Sequence, residues 1–218
     1  MKNQILKQTP LTKLKRGPQR GVFERSSINR ILDASPLCHL GHQTSGKNVV
    51  IPTIHWRVGD RIYWHGSRIS RAIKESERQN VCLTVTLLDG LVLARSAISH
   101  SANYRSVMIF GTPDIVDDAV EKTQLLKLMI DGLFPDRWDQ LRTMTRKELN
   151  ATTILSLPIS EASAKVRTGG PGDIERDGDF PVWTGVIPVS QTVGGSIPCD
   201  GLLAGLDEPG YVREYTIG

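Results

Sequence analysis

A mainly β fold with flanking helices is what this sequence predicts, and three observations predict it. Six short runs rich in apolar and β-branched residues follow one another between Leu37 and Gly111, within about 75 residues. Turn segments separate them: Thr44-Ser45-Gly46, Val58-Gly59-Asp60 and Asp89-Gly90, where glycine would supply the positive φ that tight hairpins need. No long βαβ crossover interrupts the run, so the pattern reads as an antiparallel meander closing into a sandwich or a small barrel.

The elements follow in order. Ser26 and Ser27 cap a short helix whose Ile28, Ile31 and Leu32 fall at helical spacing, and Pro36 ends it. The strands are Leu37 to Gly41, Asn48 to His55, Arg61 to His65, Val81 to Leu87, Leu91 to Ala97 and Arg105 to Gly111. One helix interrupts them, Ser67 to Gln79, with Ile69 and Ile73 facing inward and Arg71, Lys74, Glu75 and Glu77 facing out. A longer helix runs from Val116 to Leu133 on an apolar face of Val120, Leu125, Leu128, Met129 and Ile130, and a second short one from Pro135 to Leu141. Residues 165–180 read as an exposed, turn-rich loop, and Val182 to Val189 as a returning strand that Pro188 places at an edge or an end. The chain thus divides into a basic arm (1–27), a main domain (28–193) and an irregular tail (194–218).

Of the 218 residues, 39% are hydrophobic and 23% charged, which excludes a disordered, fibrous or repeat protein. No apolar run approaches the roughly 20 residues that span a bilayer, and the first 30 lack the apolar core of a signal peptide; a soluble cytoplasmic protein is the expectation. Cys38, Cys82 and Cys199 are far apart and in no metal spacing, so reduced thiols are expected. The net charge of +4 is uneven: residues 1–30 carry a local +7 and the remainder about −3. A basic arm can bind phosphates, but Phe23 is its one aromatic residue and the body has no nucleic-acid-binding motif, so a solvated arm packed on the body or on a partner subunit is the better reading.

No GxSxG, HExxH, P-loop or GxGxxG pattern is present. His39 and His42 are three apart on one strand and therefore point to opposite faces, which disfavours a shared metal. Two segments carry chemistry. In Arg61-Ile62-Tyr63-Trp64-His65-Gly66-Ser67-Arg68-Ile69-Ser70-Arg71 a strand enters a helix start, where free N–H groups, Ser67 or Ser70 and a guanidinium suit a dianionic phosphate. The same residues also read as an ordinary cap, Ser67, beside solvated Arg68 and Arg71. In the second segment, Ser99 to Gly111, a polar loop enters an apolar strand with Arg105 and Ser106 at its start. On adjacent barrel strands, the two segments together would favour the phosphate.

The order Val49-Val50-Ile51-Pro52-Thr53-Ile54, then Ile62-Tyr63-Trp64-His65-Gly66-Ser67, then Tyr104-Arg105-Ser106-Val107-Met108-Ile109-Phe110-Gly111 resembles the pyridoxamine 5'-phosphate oxidase-like FMN-binding split barrels, nearest their nitroimidazole-resistance reductase branch. Pro181 to Pro188 is similar to that branch's final strand, and the resemblance spans roughly residues 28 to 190. It implies a six-stranded antiparallel split β-barrel, a homodimer with FMN at the subunit interface. Pro52, Thr53 and Ile54 would line the isoalloxazine edge, followed by His65 and Gly66. Ser67, Ser70 and Arg71 would hold the phosphate, Arg105 and Ser106 would complete the pocket, and Trp183 would come from the partner. His65 is the candidate catalytic residue; bonding to a phosphate or backbone carbonyl is its other reading. Residues 209–215 do not align with the C-terminal segment that closes the vitamin B6 oxidase site, which argues against that substrate. The implied function is an FMN-dependent oxidoreductase taking electrons from a nicotinamide-type donor to a small acceptor such as a nitroaromatic. The alternative from another class is a flavin-binding or sensing module without turnover.

Overall fold

The computed structural model describes residues 4–172 and 177–217; Lys2 of the arm and residues 173–176 of the 165–180 loop lie outside them. Helix α1 (Arg25–Asp33) buries Ile28, Ile31 and Leu32, each at most 4% exposed, with Glu24 in the N-cap position. The first two hairpins fall where the sequence places them. Ser45 and Gly46, with φ of 50° and 74°, turn β2 (Leu37–Thr44) into β3 (Lys47–Val58), and Gly59, with φ of 58°, turns β3 into β4 (Arg61–Ser67).

The third expected hairpin does not form. Asp89-Gly90 lies inside one strand, β5 (Val81–Leu93), whose register against β6 (Ser101–Gly111) slips between Leu88 and Gly90. The glycine serves close approach rather than a turn: a Cβ there would sit 3.0 Å from Val186 Cγ1 of β10 (Gly185–Pro188), which pairs with this half of β5. A bulge of this kind bends a strand without ending it, so Val81–Leu87 and Leu91–Ala97 are not separate strands.

Two strands unassigned from sequence complete the sheet, β8 (Thr152–Pro158) and β9 (Ala162–Arg167). β8 is buried on both faces and therefore lacks the alternation by which a strand is recognised. With β1 (Gly21–Val22) and β7 (Asp114–Val116), ten strands among the described residues form an antiparallel sheet in the order β1-β9-β6-β5-β2-β3-β4-β8-β7, β10 lying against β5. The implied barrel has six strands, and the sequence reading adds a seventh at Val182 to Val189. Strand β3 joins its halves: Lys47–Ile54 pair with β2 and His55–Val58 with β4.

The two faces bury separate cores. Inside, Leu40, Ile62, Leu83, Ile109 and Leu157 are at most 1% exposed. Outside, helix α3 (Ala119–Leu133) lays Leu125, Leu126 and Met129 on Trp56, Tyr63 and Ile154. The buried face is narrower than the sequence suggests, for Val120 and Leu128 are exposed. Helix α3 starts at Ala119 because the Asp118 carboxylate accepts the Glu121 N–H at 2.8 Å. A capping box of Thr145 and Glu148 starts α4 (Arg146–Ala151), and the short helix expected at 135–141 is one 3₁₀ turn, Trp138–Gln140.

Helix α2 spans only Arg71–Ser76, because β4 continues through Ser67, paired with Thr152 of β8. Ile73 is buried, but Ile69 precedes the helix and is 82% exposed, contrary to the inward position expected of it. The basic arm is pinned to the body: Leu6 enters the inner core, Thr9 Oγ1 donates to Glu161 at 2.6 Å, and β1 pairs with β9. In the tail, a turn of helix, α5 (Gly210–Arg213), brings Tyr211 and Tyr215 within 6.4 and 5.5 Å of the Phe134 ring. No helix among the described residues is long and apolar enough to cross a membrane.

Candidate functional site

Side chains alternate across a strand, so directly paired residues share a face. His39 of β2 pairs with Pro52 of β3 on one side and Thr84 of β5 on the other; Leu37 pairs with Ile54, and Thr84 with Met108 of β6. All lie on the outer face, where no helix covers them: Leu37, Val50, Ile54 and Met108 are 42% to 66% exposed. The result is an exposed apolar surface with one imidazole, His39, among its side chains. Thr53 does not join it. It faces inward, opposite Cys38, between Pro52 and Ile54 on the outer face.

Where β3 crosses to β4 the same face continues. The β3–β4 ladder ends at the His55–Trp64 pair; Ile54 and His65, the next residue on each strand, lie on the outer face with Trp56, which is under α3. The His65 ring is half-buried, 5.9 Å from Trp56 and tilted 56° to it. Its Nδ1 is buried without a hydrogen-bond partner, and burial pushes its pKa below the ordinary histidine value, so the ring is neutral at neutral pH. Trp56 is itself stacked on Tyr63 at 5.9 Å, which fixes the wall His65 rests on.

Gly66 follows because nothing larger fits: a Cβ would lie 2.8 Å from Ile73 Cγ1, and the glycine lets α2 close against β4. Ser67 ends β4, and its carbonyl accepts the Ser70 N–H at 2.8 Å. Ser70 occupies the N-cap position of α2 but makes no side-chain cap. Arg71 is exposed and has no hydrogen-bond or ion-pair partner among the described residues. His65, Gly66, Ser67, Ser70 and Arg71 therefore form one continuous corner at the rim of the apolar face.

Arg105 and Ser106 do not reach that corner, which overturns the expected adjacency of the two segments. Strand β6 lies beside β5 and β9, and β5, β2 and β3 separate it from β4. Arg105 pairs opposite Leu87, six residues along β5 from Val81, or about 20 Å at the rise of a strand. Its guanidinium grips Asp89, Nε to Oδ2 at 3.0 Å and Nη2 to Oδ1 at 2.8 Å, and this carboxylate raises its pKa. Ser106 Oγ donates to the Lys165 carbonyl at 3.3 Å. Trp183 is 65% exposed, folded over Gly185 at the far end of β5.

His39 and Met108 on the exposed face, and buried Trp56 beside His65, are not among the site residues the sequence points to. For His39 the alternation of β2 was the available signal, since His42 faces inward, 6% exposed, as expected of residues three apart. Among the described residues no three of His, Cys, Asp and Glu cluster to hold a metal ion.

The model of the pyridoxamine 5'-phosphate oxidase family matches residues 24–166. Two solved structures are similar over nearly the whole chain. A flavocytochrome of Azotobacter vinelandii is 43% identical with a TM-score of 0.94, over 96% of this chain and 98% of that one. An FAD and heme binding protein of Mycobacterium smegmatis is 33% identical with a TM-score of 0.85, over 91% and 98%. A protein named for 5-nitroimidazole antibiotic resistance, from Bacteroides thetaiotaomicron, shares the fold at 22% identity and a TM-score of 0.56, over 67% and 86%. No curated protein matches the chain.

Proposed function

Since this chain belongs to the pyridoxamine 5'-phosphate oxidase family, we propose that it is an electron-transferring flavoprotein whose flavin lies on the outer face of β3 beside His65. The observation that carries this is the exposed Pro52–Ile54 face ending at a neutral imidazole and, one turn on, at an unpaired arginine. A flavin nucleotide needs those parts in that order: an apolar bed for the ring, a polar contact at its edge and a cation for its phosphate. When bound, it supplies the hydride or electron transfer.

The chain's own residues bind and orient. Pro52 and Ile54 exclude water from one side of the bed, and Trp56 holds the His65 ring in place. Ser67, Ser70 and Arg71 take the phosphate that FMN and FAD have in common; the Mycobacterium smegmatis relative's name favours FAD over the FMN expected from the sequence. A second copy of the chain brings its own exposed tryptophan, the counterpart of Trp183, toward the ring.

The names of the two relatives also support a haem. The residues fit one. His39 is an exposed imidazole with no partner among the described residues, set in an apolar surface of Leu37, Val50 and Met108 beside the flavin bed. Its imidazole would supply a nitrogen ligand to the iron. A nicotinamide-type donor and a small acceptor complete the reading.

The test is the absorbance spectrum of the freshly purified protein, with mass identification of any released chromophore. A flavin spectrum, with a Soret band that His39→Ala removes, is expected, as is bleaching by a nicotinamide and recovery on adding an acceptor. Bleaching without recovery would mark a binding module, and a colourless protein that takes up no added flavin would overturn the proposal.

A further inference from the structure

A second concavity among the described residues lies away from the apolar face. It holds about 770 Å³ and opens between the C-terminal ends of α1 and α3 and the chain's last residues, 210–217. That is within the range of small-molecule sites. Three features give it a sign. Two helices end on it, α1 at Asp33 and α3 at Leu133, and helix C-termini carry partial negative charge. Three carboxylates line it, Asp33, Asp136 and Glu214, against a single cation, Arg57. That cation is spent: Arg57 donates from Nε to Asp33 at 2.8 Å, from Nη2 to the other oxygen of the same carboxylate, and from Nη1 to the Gly59 carbonyl at 3.0 Å. Asp136 and Glu214 keep no ion pair among the described residues.

The walls are aromatic. Trp56 comes from β3, and Tyr211 and Tyr215 from the tail, where Phe134 backs both tyrosines. Tyr211 is held further: Arg137 donates to its hydroxyl at 2.9 Å, and that hydroxyl donates to Gln140 at 3.0 Å. A chamber with aromatic walls, two free carboxylates and two negative helix ends rejects anions and suits a bulky organic cation, through ring faces and acidic rim together. We propose that this cavity binds an organic ammonium ion, with residues 210–217 as one of its walls. It is chemically opposite to the phosphate-binding corner at Arg71, so the two sites do not compete for a ligand.

The test is calorimetric titration of the full chain with benzyltrimethylammonium and with its neutral carbon isostere, neopentylbenzene, independently of any flavin. Saturable binding of the cation is expected, with the isostere at least tenfold weaker. Glu214→Gln and Asp136→Asn should each weaken the cation severalfold and leave the isostere unchanged, and Tyr215→Ala should weaken both. Equal affinity for cation and isostere, or an affinity that neither charge-removing variant alters, overturns the proposal. So does a lack of binding. Both charge-removing variants are at exposed or half-buried positions and keep the core intact, so a failure to bind is not a failure to fold.

Discussion

Arg105 is clasped by Asp89, two residues of neighbouring strands whose bidentate contact ties the bulge of β5 to β6. That contact gives the arginine an architectural partner. The pair is part-exposed, 39% and 28%, so solvent screens it. Arg105→Ala should therefore cost about 1 kcal/mol, which for a chain of this length lowers the melting temperature by about 2–4 °C. Flavin bound per folded chain should stay at the wild-type level in an absorbance assay, and a flavin-free but stable variant would return Arg105 to the site.

Arg71 should behave in the opposite way. Exposed and without a partner, it contributes little to folding, so Arg71→Ala should melt with the wild type. Losing a charge-assisted bond to phosphate is worth about 1.5–3 kcal/mol, so flavin affinity should fall at least tenfold in a fluorescence titration. Raised salt should weaken the wild type more than the variant.

Two histidines set the acid side of the stability profile. Burial lowers the pKa of both His55 and His65, partly offset at His55 by the Leu32 carbonyl that its Nε2 contacts at 3.0 Å. The unfolded chain therefore binds more protons than the folded one below the ordinary value of about 6.5. Stability should be full above that pH and decline as the pH falls through 6 toward 5. His65→Gln should flatten the decline, as measured by urea denaturation at each pH, and a wild-type profile level from 7 to 5 would contradict the assignment.

The three thiols should separate cleanly. Burial pushes Cys38 up to about 12 and raises Cys82 as well, whereas Cys199 lies exposed in the tail. A disulfide reagent at mildly alkaline pH should label Cys199 at once, Cys82 slowly and Cys38 only on unfolding, which peptide mass mapping reads directly.

Much of this fold is legible from the sequence, and the lapses have physical causes. Gly46 and Gly59 mark their hairpins because left-handed backbone is cheap for glycine, and Ile28, Ile31 and Leu32 mark α1 by spacing. Asp89-Gly90 misleads because a bulge beneath β10 wants the same residues as a turn. Strand β8 is hidden because both its faces are buried, although Thr152-Thr153-Ile154-Leu155 carried the β-branched composition of a strand. The corner from His65 to Arg71 is local in sequence, so its residues stay together. Arg105 belongs to a strand placed by long-range pairing, and nothing in its neighbours reveals that β5, β2 and β3 come between it and β4. The aromatic chamber beside α3 brings residues 32–36 and 55–57 together with 210–217 and has no sequence signature.

On the proposed reading, the uncovered surface around Ile54 is the flavin bed. The most direct measurement is fluorescence titration of the apoprotein with flavin, comparing Ile54→Glu, which puts a charge on that surface, with Val120→Glu, which puts one on the solvent side of α3. Binding weakened more than tenfold by the first and unchanged by the second is the predicted result; wild-type affinity in Ile54→Glu would contradict it.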